Sequence, residues 1–297
     1  MAEDGGLRGE LRVAPGRPVE LDRIDPAGTP GLPRERQPKR WAREQLRLIG
    51  EDLASHQERL YANAKVARGN RSILLVLQAM DCGGKDGTTR RVAGLMNPQG
   101  LRIVSFGKPT EEELAHDFLW RIRRALPPAG YLGVFNRSHY EDVLVVRVHG
   151  LVDEATWRDR YEQIRRFEQE LVDAGTTLVK VMLHISFKEQ AERLAQRLAD
   201  PTKHWKYNPG DIDERALWAR YQAAYEDALR ECSTPDAPWY VVPADHKWYR
   251  DWAVATLLRE TMLGLGLTYP PGDFSVETEL RRLAGSLRGG SQEVNSP

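Results

Sequence analysis

The stretch SILLVLQAM, Ser72 to Met80, constrains the fold of this chain more than any other. It is apolar on both faces and β-branched near its start, the pattern of a strand covered on both sides. Four more runs of strand length follow: LRIVSF (Leu101–Phe106), YLGVFN (Tyr131–Asn136), TTLVKVMLHIS (Thr176–Ser186) and PWYVVP (Pro238–Pro243). Helical stretches surround them: Trp41 to Arg68, Thr88 to Met96, Glu111 to Ala125, Lys188 to about Ala199, Asp213 to Arg230 and Trp248 to Leu263. Trp157, Tyr161, Ile164, Phe167 and Leu171 add another helix through their spacing. Alternating βα units of this kind predict an α/β fold in three layers, α/β/α, with a parallel five-stranded sheet. Ligands of such sheets sit at the carboxyl ends of the strands, so the strand-to-helix turns are where chemistry is expected.

The ends of the chain read differently. Residues 1 to about 40 hold six of the 18 prolines, with six glycines and alternating charges, and cannot propagate a helix or ladder for long. They are expected to form an irregular arm over the domain, mobile at its start. Residues 41–270 are expected to be one domain, and 271–297 an extension that is disordered from about Gly285, where Gly and Ser dominate. With 43 Lys and Arg against 43 Asp and Glu, the formal net charge is zero. That balance excludes a uniformly basic nucleic-acid coat and an acidic tail protein, yet allows a polyanionic partner whose cations collect on one face. Cys82 and Cys232 are too few for a disulfide framework. The first residues include Glu3 and Asp4 with no apolar leader, and the most apolar run is too short to cross a bilayer. The expectation is a cytoplasmic protein with reduced thiols and no membrane or nucleic-acid partner.

The first turn reads QAMDCGGKDGTTRR, Gln78 to Arg91, directly after the most apolar strand and before a helix. Gly83, Gly84 and Gly87 let backbone N–H groups approach an anion, the helix start adds partial positive charge, and Lys85 adds a full one. The match to GxxxxGK[ST] is imperfect: Ala79 replaces the first glycine and Asp86 the hydroxyl residue, with Thr88 offering a hydroxyl two positions later. Asp81 would repel a bare polyphosphate, so a divalent cation is expected on it. The third strand ends in FNRSHYEDVLVVRVHG, Phe135 to Gly150. There Asp142 is the expected second metal ligand, Glu141 lies beside it, and Arg137 is expected to clamp phosphate oxygens. Helix-capping carboxylates are the plainer reading of Asp142 and Glu141.

In the stretch Ala191 to Leu229, Arg193 and Arg197 fall on one helical face and lead to Lys203 and Lys206 between Asp200-Pro201 and Asn208-Pro209-Gly210. Such a segment, about 193–215, suits a helical lid over phosphates, with a solvated charged face as the plainer reading. Tyr221 and Tyr225 read as core. No histidine pair has zinc-like spacing with a third ligand.

Taken together, QAMDCGGKDGT, FNRSHYEDVLV, DPTKHWKYNPGDIDERALWARYQAAYE and STPDAPWYVVPADHKWYR resemble the polyphosphate kinase 2 family over roughly Trp41 to Gly266. The resemblance implies a thymidylate-kinase-like P-loop kinase fold and a homo-oligomer, a dimer or tetramer. It implies Mg²⁺-dependent, reversible transfer of the terminal phosphoryl group of inorganic polyphosphate to a nucleotide. Asp81, Gly83, Gly84, Lys85 and Thr88 match the family's Walker A turn, and Arg137 and Ser138 its Walker B strand end. Asn136 stands where many members carry Asp; with HYED following, this looks like the subclass that phosphorylates AMP as well as ADP, and it shifts weight to Asp142 as metal ligand. Adenine nucleotides are the expected acceptors, with guanine left open.

The nucleophile would be an acceptor phosphate oxygen, ionised near neutral pH because its second pKa is about 6, so no general base is needed. Lys85, Arg137 and Mg²⁺ on Asp81 and Asp142 would act at the centre. Asp86, Gly87 and Thr88 would face phosphates. Arg90, Arg91, Arg193, Arg197, Lys203, Lys206 and Lys247 would form the track and lid. An ATP-dependent nucleotide or small-molecule kinase and a slow nucleotide-binding switch are the alternatives. Lys85, Arg90, Arg91, Arg137, Arg193, Arg197, Lys203 and Lys206 are expected to converge on one mouth of the sheet.

Overall fold

The computed structural model describes residues 6–66 and 69–289, in which helix and strand alternate. A short α1 (Leu7–Leu11) and a long α2 (Pro38–Val66) precede β1 (Ser72–Ala79). Next come α3 (Lys85–Val92), β2 (Leu101–Ser105), α4 (Glu111–Leu114), α5 (Trp120–Ala125) and β3 (Leu132–Asn136). Then α6 (Val145–Val148) and α7 (Glu154–Asp173) lead to β4 (Thr176–His184). Finally α8 (Phe187–Ala199), α9 (Gly210–Ala216) and α10 (Trp218–Cys232) lead to β5 (Trp239–Pro243), followed by α11 (Lys247–Gly264) and α12 (Val276–Gly289).

Among the described residues the five strands form one parallel sheet in the order β2-β3-β1-β4-β5. All eight residues of the central β1 are buried, as its two-sided apolar pattern requires. Alternation splits its side chains between two layers. Leu74 and Val76 pack with Ile164 and Phe167 of α7 and Leu229 of α10; Ile73, Leu75 and Leu77 pack with Leu53 and Leu60 of α2 and Leu257 of α11. Each such side chain stabilises the fold by about 1.5–3 kcal/mol. Asp153 starts α7 by accepting from the Thr156 N–H (2.7 Å). No helix among the described residues is long and apolar enough to cross a membrane.

The arm docks through local devices. Leu7 and Leu11 are buried, the Glu260 carboxylate accepts from the N–H groups of Leu7 (3.0 Å) and Arg8 (2.9 Å), and Arg12 bridges Tyr240 of β5. Its expected mobile start falls on residues 1–5, outside the described residues.

Several helices depart from expectation. The run 111–125 is two helices: Thr110 and Glu113 form a capping box on α4, and Asp117 then accepts from the Leu119 N–H (3.0 Å) ahead of α5. The run 213–230 breaks at Leu217 into α9 and α10, and α3 begins at Lys85, not Thr88. The expected disorder from Gly285 is corrected over 285–289, which are helical in α12; residues 290–297 lie outside the described residues.

Candidate active site

β1 delivers Met80 to Gly84 to the centre of the carboxyl edge of the sheet, between the ends of β3 and β4. The loop is tight. The Gly83 N–H donates to Met80 O (3.0 Å), and a Cβ on Gly83 would sit 2.5 Å from the Ala79 Cβ. Gly84 has φ +110°, and a Cβ there would run into the Arg250 guanidinium. The α8 helix grips the loop from outside: Gln190 Nε2 donates to Asp81 O (2.9 Å), and Arg193 Nη1 to Cys82 O (2.9 Å) and Gly83 O (3.3 Å). The carbonyls of Asp81, Cys82 and Gly83 are thus turned to α8, and the first N–H groups of α3 have no partner within their own helix, as at any helix start. The Lys85 ammonium is buried and donates to Ala79 O (2.7 Å); burial, then Arg137, lowers its pKa.

Two non-glycine residues among those described have left-handed backbone: Cys82 (φ +62°), inside this loop, and Arg137 (φ +64°), which bonds to its Asp81. Each such residue costs about 1–3 kcal/mol, a strain that marks functional turns. Arg137 Nη2 donates to Asp81 Oδ1 (3.1 Å), and Nη1 lies 3.7 Å from Glu141 Oε2. Burial would lower its pKa, but Glu141 and then Asp81 outweigh it and hold the guanidinium above its ordinary value. Asp86, exposed at the hydroxyl position of the loop, accepts from Asn136 Nδ2 (2.7 Å) and Lys206 Nζ (3.2 Å). These bonds outweigh burial and lower its pKa.

A cleft of about 940 Å³ runs over the loop. Lys85, Arg90, Arg91, Arg137, Arg193, Arg197, Lys203, Lys206, Lys247 and Arg250 line it against the acids Asp81, Asp86 and Asp211. The eight cations expected at one mouth are thus brought together, with Lys247 and Arg250 added. Asn136, Gly83, Gly84 and Gly87 line it too. The segment from Thr202 to Asp211 forms one wall, where Arg197 donates to Lys206 O (3.2 Å) and Lys203 pairs with Asp200 (2.6 Å). Trp205 stands 78% exposed on that wall. Burial, then Arg193, lowers the Lys247 pKa. A smaller cavity of about 250 Å³ meets the cleft at Asp81, Arg137, Asn208 and Asp211, and is closed by Glu141, Glu214, Tyr221 and Tyr225. The two tyrosines are buried, as read from sequence, but their rings also face this cavity.

Four expected roles are corrected. Asp142 does not face the loop: Arg160 Nη1 donates to its Oδ1 (3.2 Å) and to its backbone O (3.0 Å), and the carboxylate lines neither cavity. Ser138 is buried, its hydroxyl accepting from Gln78 Nε2 (3.1 Å) and the Tyr140 N–H (3.2 Å), and so has no phosphate to meet. Arg193 is a brace, not a mobile lid residue: it is buried, and its remaining N–H groups reach Glu189 (2.8 Å), Ala244 O (2.5 Å) and Asp245 O (3.0 Å). Thr88 is enclosed, its hydroxyl without a hydrogen-bond partner among the described residues, and lines neither cavity.

Arg250 and Gln190 were not singled out from the sequence. Arg250 is 2% exposed, held by Asp251 (2.6 Å), and pressed against Gly84 and Gly87. The signal was present, since it follows the carboxyl end of β5 by only seven residues.

The family model for polyphosphate kinase 2 (PPK2) matches residues 39–264. The chain belongs to the polyphosphate kinase 2 family. It is 50% identical over 268 residues to the AMP/ADP-polyphosphate phosphotransferase of Meiothermus ruber, covering 90% of this chain and 97% of that one. The ADP-polyphosphate phosphotransferase of Rhodopseudomonas palustris is 42% identical, with 88% and 91% covered. The crystal structure of polyphosphate kinase 2 from Arthrobacter aurescens TC1 superposes with a TM-score of 0.90 at 46% identity, over 95% of this chain and 98% of that one. This PPK2 chain therefore has the P-loop kinase fold, with its parallel sheet, as the sequence implied.

Proposed function

We propose that this PPK2 chain moves the terminal phosphoryl group of inorganic polyphosphate to AMP and to ADP, reversibly and with Mg²⁺. The observation that carries the reading is the cleft, in which ten cations face three acids on both sides of the P-loop. So much positive charge suits a polyanion longer than one triphosphate. The names of the relatives from Meiothermus ruber and Rhodopseudomonas palustris support the substrate pair.

An oxygen of the acceptor's terminal phosphate bonds to the terminal phosphorus of the polyphosphate, and the bridging P–O bond breaks. The shortened chain leaves with the electron pair. The acceptor oxygen is already ionised near neutral pH, so the protein's task is alignment and charge neutralisation. Lys85 and the N–H groups at the start of α3 hold the passing phosphoryl, and Arg137 bridges the two substrates where the cavities meet. Arg90, Arg91, Arg197, Lys203, Lys206 and Lys247 hold the chain.

The donor set fits Mg²⁺, which takes one or two carboxylates and completes its shell with phosphate oxygens and water. Asp81 and Glu141, which share Arg137, would hold it; bound there, it supplies charge neutralisation between the substrates. Among the described residues no cluster of three or more His, Cys, Asp or Glu could hold a metal without substrate. A cytoplasmic homo-oligomer completes the reading. The test is purified protein with AMP, Mg²⁺ and polyphosphate in the absence of ATP, alongside ADP, GMP and GDP. ADP and ATP are expected; no phosphorylated nucleotide refutes the reading.

A further inference from the structure

Left-handed backbone at a non-glycine strand end persists only where its neighbours over-determine it. The Arg137 N–H donates to Leu77 O (3.0 Å), which ties the turn to β1. After Arg137 the chain enters a polar cluster sealed on the face of the sheet that α7 and α10 cover, with Ser138, His139, Tyr140, Glu168 and Lys180 all 0–1% exposed. Glu168 Oε1 accepts from Tyr140 Oη (2.8 Å) and His139 Nε2 (3.2 Å). Its Oε2 accepts from Lys180 Nζ (2.5 Å), which also donates to Cys232 O (2.6 Å) and Tyr140 Oη (3.0 Å). An ionised carboxylate only accepts, so His139 carries its proton on Nε2 and leaves Nδ1 bare, without a partner among the described residues. All three Lys180 donors are used.

A buried charged pair is a poor source of net stability, because apolar replacements at such places are often neutral or stabilising. Neither Lys180 nor Glu168 lines either cavity, so neither meets substrate. We infer that the Lys180–Glu168 pair is a positioning device for Arg137: through His139 and Tyr140 it fixes the turn that follows Arg137, and so the direction in which Arg137 faces the cleft and Glu141 the smaller cavity. The catalytic consequence rests on the proposed transfer; the geometric one does not.

Lys180→Met alone strands a buried carboxylate and is expected not to fold. The test therefore uses Tyr140→Phe, which removes one hydroxyl from the cluster, and Lys180→Met combined with Glu168→Gln, which removes both charges. Both variants are expected to fold and to lose about ten- to a hundred-fold in kcat at unchanged KM for polyphosphate, because Arg137 acts on the passing phosphoryl. In an Arg137→Ala background the same changes are expected to alter kcat by less than about two-fold. Retention of kcat within about two-fold by the folded variants, or equal losses in both backgrounds, overturns the inference. If the parent protein forms no ADP from AMP, the proposed function fails instead, and crystal structures of parent and double variant decide: Arg137 φ held near +64° in both overturns the inference, and its loss in the variant upholds it.

Discussion

Burial raises the Asp142 carboxyl to about 6, with Arg160 and then Arg121 pulling the other way. Between the ordinary carboxylate value and about 6, the folded chain keeps a proton that the unfolded chain has released. Stability therefore falls as pH rises through that window, and the loss is complete above it. Asp142→Asn is expected to raise Tm at pH 8 by the equivalent of about 1–3 kcal/mol and to leave it unchanged near pH 4. The same variant is expected to keep kcat within about three-fold, whereas Glu141→Gln loses at least about a hundred-fold. The opposite ranking in a turnover assay would favour Asp142 over Glu141 as the proposed metal ligand. Sequence alone could not choose between these neighbours, because adjacent residues on a 3₁₀ turn point about 120° apart and the partner that claims Asp142 arrives 18 positions later on α7. At Gly84 the outcome is simpler: alanine meets both the positive φ and Arg250, and is expected to cost about 2–4 kcal/mol in urea unfolding and to abolish transfer.

At the scale of elements, α8 works as a clamp on the P-loop, with Gln190 and Arg193 as its teeth. Lysine at 193 keeps the charge but cannot span the P-loop carbonyls of Cys82 and Gly83 together with those of Ala244 and Asp245 after β5. Arg193→Lys is expected to lower stability by about 2–4 kcal/mol, read as a fall in Tm, and to reduce kcat, whereas Arg90→Lys on the exposed side of α3 leaves Tm unchanged. Equal Tm for the two variants would make Arg193 an ordinary track residue. The i, i+4 spacing of Arg193 and Arg197 was visible in the sequence, but not their difference in depth, which depends on how α8 leans against a loop 110 residues away. Strands were legible because a central parallel strand must be apolar on both faces. The breaks at Asp117 and Leu217 were not, because helical spacing continues across them. In α12 the stripe of Val276, Leu280 and Leu283 has helical spacing, yet all three side chains are exposed, and Gly285 masked the pattern.

For the whole molecule, zero net charge coexists with a cleft of ten cations and three acids, so the rest of the chain carries a net excess of acids. Binding to such a cleft is expected to weaken by counterion release: KM for polyphosphate should rise at least about ten-fold between about 50 and 200 mM salt, with Tm nearly constant. A flat KM over that range would mean that the cations do not grip the chain. The strand order has another consequence. β1 lies between β3 and β4, yet it is the first of the described strands to be synthesised, and β4 is complete only about a hundred residues later. At about 5–20 residues per second, the most apolar segment of the chain waits on the order of 5–20 s without the neighbour on one of its edges. The strand that later presents the P-loop is thus the nascent chain's chief aggregation hazard, and the yield of folded enzyme depends on what shelters it during translation.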